Sequence, residues 1–135
     1  MPTAGYSGTP LWKKLGLKEG MALHYLGLPE DVAPLIAEGA PPTNTTDQFE
    51  EANLIHLFTT ERTELEATLT RAMASMKRDA MLWISWPKKA SKVPTDITED
   101  TIREIARPLG LVDLKVCAVT EVWSGLKLMI RKELR

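Results

Sequence analysis

The sequence predicts a three-layer α/β fold whose mostly parallel sheet ends in a C-terminal antiparallel hairpin. Three observations carry this expectation. Two continuous apolar runs, Leu54 to Thr59 and Met81 to Trp86, have the length and character of strands buried on both faces. Each is followed by residues with helical apolar spacing, as parallel crossovers require. Finally, Val112 to Val119 and Val122 to Arg131 are separated only by Thr120-Glu121, which is too short for a crossover, so the two strands must be antiparallel.

Taken in order, Thr9-Pro10 followed by Leu11, Trp12, Leu15 and Gly16 reads as a short helix, with Thr9 as N-cap, packed as a lid on the sheet. Met21 to Leu26 forms a strand ending at Gly27-Leu28-Pro29, and Val32, Leu35 and Ile36 mark a second short helix. Residues 39–53 are rich in Gly, Pro, Thr, Asn and acids, and predict loop with at most an edge strand near Thr43 to Thr46.

After the strand 54–59, Thr60 is placed to cap a helix whose Leu65, Leu69, Ala72, Met73 and Met76 share a face, with Glu61 and Glu64 at its positive end. After Met81 to Trp86 comes a polar connection, Pro87 to Thr95. Asp96 and Glu99 then have capping-box spacing ahead of a helix bearing Ile102, Ile105, Ala106 and Leu109, ended by Pro108 and Gly110. Strand 122–131 is expected at the sheet edge, guarded by Lys127, Arg131 and Lys132.

Composition bounds the function. The chain has 135 residues, enough for one core, and is expected to be a single α/β domain over 1–135 with 1–8 flexible. Its 17 basic and 18 acidic side chains give a net charge of −1, so no global field draws in a nucleic-acid backbone, and no nucleic-acid partner is expected. A lone cysteine, Cys117, excludes an internal disulfide and fits a cytoplasmic location. No segment reaches the ~18 apolar residues of a membrane span, and the N-terminus lacks a signal-peptide pattern, so no membrane partner is expected either.

The order of elements from Leu54 onward resembles the C-terminal half of S-adenosylmethionine-dependent methyltransferases, a Rossmann-like arrangement. In addition, Gly5-Tyr6-Ser7-Gly8-Thr9-Pro10-Leu11, Trp86-Pro87-Lys88-Lys89-Ala90-Ser91, Thr95-Asp96-Ile97-Thr98-Glu99-Asp100, Lys115-Val116-Cys117-Ala118 and Trp123-Ser124-Gly125-Leu126 are together similar to an uncharacterised bacterial family described as a domain of unknown function. The resemblance implies a methyltransferase-like fold and a bacterial, cytoplasmic origin. It supplies no catalytic residue.

A cofactor turn of this fold is glycine-rich so that backbone approaches the ligand. Here Gly27-Leu28-Pro29-Glu30-Asp31 offers one glycine, and its two acids compete with a phosphate for helix NH groups. No cofactor is therefore expected. The candidate ligand-binding residues are Ser85, Trp86, Lys88, Lys89 and Ser91 in the loop after the strand 81–86, with Thr95 and Asp96 beyond it, Thr59 from the neighbouring strand and Trp123 as a second aromatic wall. Cations, hydroxyls and an aromatic at the carboxyl end of a parallel strand suit a small anionic ligand. The same residues also read as a solvated lysine loop anchored by Trp86.

His24 and His56, on strands expected to be neighbours, invite a paired metal or proton-transfer role. No third ligand stands at matching spacing, so no metal site is expected. The leading expectation is a non-catalytic binding domain for a small anionic ligand or a protein partner, as a monomer or homodimer. Its rival is a small enzyme using Lys88 or Lys89 with Asp96 or His56, or a divergent S-adenosylmethionine-dependent methyltransferase.

Overall fold

The computed structural model describes residues 8–135. The expected flexibility at the N-terminus and the Gly5-Tyr6-Ser7 part of the first motif fall on residues outside that range, apart from Gly8, which is exposed. The elements are α1 (Leu11–Leu15), β1 (Ala22–Leu26), α2 (Ala33–Ala37), β2 (Asn44–Thr45), β3 (Leu54–Phe58), α3 (Arg62–Ser75), β4 (Met81–Pro87), α4 (Glu99–Leu109), β5 (Leu111–Ala118) and β6 (Trp123–Ile130). One sheet joins all six strands in the order β2-β1-β3-β4-β6-β5. The first four are parallel, whereas β6 runs antiparallel to both β4 and β5.

Strand alternation divides the core in two. On one face Ile55, Leu57, Leu82, Ile84 and Leu128 pack beneath Leu65, Leu69 and Ala72 of α3 and Ile102 and Ala106 of α4. On the other, Leu54, Phe58 and Trp83 pack beneath Leu11 and Leu15 of α1, Ile36 of α2 and Val32 at the N-cap of α2. Both sheet faces are thus covered, as expected. Each such leucine or isoleucine contributes about 1.5–3 kcal/mol by leaving water. Trp83 is fully buried, and its indole NH donates to the Leu15 carbonyl at 2.9 Å, which ties the lid helix α1 to the middle of the sheet.

Four local expectations need correction. Pro10, not Thr9, occupies the N-cap of α1, and no side chain caps that end. The cap position of α3 is Glu61 rather than Thr60, because Thr59 turns the chain by accepting the Glu61 amide on its hydroxyl at 3.1 Å. Asp96 does not start α4. Its carboxylate instead accepts the Arg62 amide at 2.7 Å, capping α3 from a distant loop, while Thr98 and Thr101 form the capping box of α4. Pro108 lies inside the last turn of α4, and Gly110 closes the helix.

The fifth correction concerns the edge. β6 is not an edge strand, because it inserts between β4 and β5, so the long exposed edge belongs to β5. The other edge is the two-residue β2, paired parallel to β1.

Candidate functional site

Parallel pairing places the carboxyl ends of β1, β3 and β4 at one end of the sheet, and the antiparallel β6 starts there too, with Trp123 opposite Pro87 and Ser124 opposite Trp86. Two places at this end deserve a ligand test.

The first is the switch point between β1 and β3, from which the chain departs to opposite faces of the sheet, through α2 and through α3. It is filled by the protein itself. Gly27 has φ +70° and lies so close to the Phe58 carbonyl that a Cβ there would come within 2.4 Å of the oxygen. The Phe58 ring is stacked on His56 at 4.1 Å and meets Trp123 edge-on at 5.4 Å. A glycine used to seat one strand end against the next does not also hold a ligand off its backbone.

The second is a cleft of about 570 Å³ beyond β4, lined by Trp86, Pro87, Lys88, Lys89, Lys92, Val93, Pro94, Thr95, Ile97, Thr98, Glu99 and Ser124. Its loop is pinned at each end. The Lys88 amide donates to the Val122 carbonyl at 2.7 Å, and the Thr95 hydroxyl donates to the Thr60 carbonyl at 2.7 Å. Between them the Ser91 hydroxyl donates to the Lys88 carbonyl at 2.6 Å and accepts the Val93 amide, holding a tight turn over Lys89–Ser91. Lys92 follows with φ +62°, a left-handed residue that turns the chain toward Val93. Three lysines thus surround a wall of Trp86, Val93 and Ile97. The one carboxylate in the lining, Glu99, is engaged by the Arg103 guanidinium.

Of the nine candidates, the cleft gathers Trp86, Lys88, Lys89 and Thr95. Ser85 is fully buried on the opposite side of the sheet, where its hydroxyl lies 2.7 Å from His56 Nε2. The Ser91 hydroxyl is spent on its own turn, Asp96 on the amide of Arg62, and Thr59 on the amide of Glu61. Trp123 packs against Phe58, so its neighbour Ser124 is the β6 residue that reaches the cleft. Val93, Pro94, Ile97 and Ser124 escaped sequence reasoning. The first three carry the signal of apolar residues in a polar loop, whereas Ser124 needs the β4–β6 register.

His24 and His56 do not form a pair. His24 lies opposite Ile55 and His56 opposite Tyr25, so the two rings leave the sheet on opposite faces. His24 meets Phe49 edge-on at 5.0 Å, and burial lowers its pKa. Burial drives the His56 pKa down to about 3 and raises that of Tyr25 to about 12. Cys117 is half-buried, and the same cause raises its thiol pKa, opposed by Lys14 and Lys115. Neither His56 nor Asp96 is placed to move a proton at the lysines. Among the described residues no three His, Cys, Asp or Glu side chains assemble as a metal-ligand set, and no helix is long and apolar enough to cross a membrane.

Comparison with known proteins agrees with this architecture. A family described as protein of unknown function matches residues 12–132. No curated protein matches the chain. Among solved structures, a putative type 11 methyltransferase from Sulfolobus solfataricus is similar at a TM-score of 0.66 and 12% identity, over 96% of this chain and 95% of that one. A SAM-dependent methyltransferase from Aquifex aeolicus gives 0.58 and 20%, over 90% and 88%. A precorrin-6y C5,15-methyltransferase from Geobacter metallireducens gives 0.55 and 8%, over 90% and 86%. At these identities the likeness is one of fold, and the fold is a Rossmann-like, methyltransferase-type α/β sheet.

Proposed function

From the premise that the chain belongs to the DUF3052 family of proteins of unknown function, we propose that it is a cytoplasmic, non-catalytic binding domain on a methyltransferase-like scaffold, and that its lysine cleft takes a small anionic ligand. The observation that supports this reading is the cleft itself: Lys88, Lys89 and Lys92 stand around an apolar wall of Trp86, Val93 and Ile97. Lysines attract a phosphate or carboxylate, and the indole with its aliphatic neighbours accepts a flat or apolar body. A ligand with an anionic head and an unsaturated ring fits that division.

Adenosine 5′-monophosphate and uncharged adenosine are suitable probes, followed by amide and indole NMR. The reading expects the monophosphate to shift the Trp86 indole and the amides of 88–92, adenosine to shift them far less, and Lys88→Ala with Lys89→Ala to abolish the response without unfolding the chain. Unchanged capture by the double variant would sink it.

The likeness to methyltransferases favours a second reading, a divergent S-adenosylmethionine-dependent enzyme. S-adenosylmethionine would then perturb Gly27 and Leu28 rather than the lysine loop. A ligand present at a hundred times its Kd adds about 2.7 kcal/mol of stability, so a thermal-shift series with both compounds separates the two readings.

A further inference from the structure

We propose that the outer edge of β5, over Lys115–Ala118, receives an extended segment of a partner protein in which acidic and apolar side chains alternate. The sheet ends at β5, and among the described residues no strand pairs with its outer side, where the Ala118 carbonyl accepts the Lys14 ammonium and the Val116 and Ala118 amides have no backbone partner. The Val119 amide donates to the Trp123 carbonyl at 2.9 Å. Alternation along an antiparallel ladder then turns Cys117 and Lys115 inward to β6 and directs the amides of Val116 and Ala118 outward.

The two faces of this edge differ in chemistry. On the α4 side, Val116 shares the row of Leu126, and it is 49% exposed although that row is otherwise core. Leu114, displaced by the bulge between Asp113 and Lys115, is 53% exposed beside it. On the α1 side, Lys115 lies directly opposite Lys127. The Lys115 ammonium reaches the Lys14 carbonyl at 3.1 Å, the Lys14 ammonium reaches the Ala118 carbonyl at 3.1 Å, and Lys18 is near enough to repel Lys127. Like charges directly opposite on a strand pair are unfavourable. Among the described residues, none of these four lysines makes an ion pair. A strand added here meets ammonium groups on one face and Val116 on the other. Its matching side chains are carboxylates and aliphatics in alternation.

Charge also selects against a second copy of this chain. Two β5 edges paired antiparallel would bring one lysine set against the other, and β5 offers no free carboxylate, since Arg103 holds that of Asp113 at 2.9 Å. The edge is therefore guarded against itself and open to an acidic strand. The bulge at Leu114 limits the site to a short stretch.

The experiment is an amide NMR titration of the full chain with a blocked peptide alternating valine and glutamate, set beside one alternating valine and lysine. The expected result is shifts and slowed hydrogen exchange at Val116 and Ala118 with the first peptide only. K115E with K127E should weaken that response at least about tenfold. Val116→Pro, which removes an outward donor, should abolish it, and the charge-reversal pair provides the control if the proline variant does not fold. An unchanged 115–118 segment, an equal response to both peptides, or self-association through this edge in sedimentation would overturn the proposal.

Discussion

His56 Nε2 lies 2.7 Å from the Ser85 hydroxyl in the centre of the sheet, while Nδ1 of the same fully buried ring has no hydrogen-bond partner among the described residues. The ring is held neutral because protonation would place a charge beneath Tyr25, Phe58 and Trp83. The folded state resists the proton down to about pH 3, whereas the unfolded chain takes it up near 6.5. The unfolded state therefore binds more protons in that window, and stability, fully present above pH 6.5, falls as pH drops toward 3. The limiting slope is about 1.4 kcal/mol per pH unit. Urea midpoints between pH 7 and 4 should show this slope, and His56→Leu with Ser85→Ala should flatten it; an unaltered slope in the double variant would refute the assignment.

Gly27 and Gly20 separate two costs of replacing a left-handed glycine. Both have positive φ, +70° and +82°, but a Cβ on Gly20 meets nothing within 4 Å, whereas one on Gly27 collides with the Phe58 carbonyl. Gly20→Ala should lose about 1–2 kcal/mol from backbone strain alone. Gly27→Ala should lose clearly more, because strand ends must part. Equal losses by urea denaturation would show that the β1–β3 junction yields without cost.

Asp96→Ala should remove about 1 kcal/mol by uncapping α3, and Asp96→Asn should recover most of it, since an amide oxygen also accepts the Arg62 NH. Ligand capture by the lysine cleft should survive both changes. Loss of capture at unchanged stability would return Asp96 to the ligand site.

Arg103 joins Glu99 and Asp100 of its own helix to Asp113 of β5, and hydrogen bonds to Asp113 and Glu99 raise its pKa further. Arg103→Met should keep the aliphatic packing yet weaken the α4–β5 contact, lowering Tm by a few degrees. The loss should shrink in 1 M salt, where such pairs are screened. A salt-independent loss would point to packing instead.

The sequence made some of this legible. β3 and β4 were readable because burial on both faces forces unbroken apolar runs, Leu54 to Phe58 and Leu82 to Trp86. The hairpin direction followed from a short connection, but not which of its strands sits beside β4, since insertion order is not a local property. The cap of α3 escaped for a similar reason. Asp96 and Arg62 are 34 residues apart, and the nearby Glu99 offered a tempting local box. In the cleft the lysines were legible as charge after a buried strand. The fate of Ser85, Ser91 and Thr95 was not, because whether a hydroxyl faces a ligand or a backbone carbonyl depends on the path of the loop.

The placement of β6 also orders events in time. As the chain emerges, β1, β3 and β4 can pair as soon as Pro87 is made, but β5 has nothing to join until Trp123–Ile130 arrives to stand between. Until then the β4 edge that β6 covers has no strand beside it, and β5 has no strand to pair with. The strand of this sheet that is made latest is thus its keystone, and the interval before it is when the nascent chain is most prone to join with another.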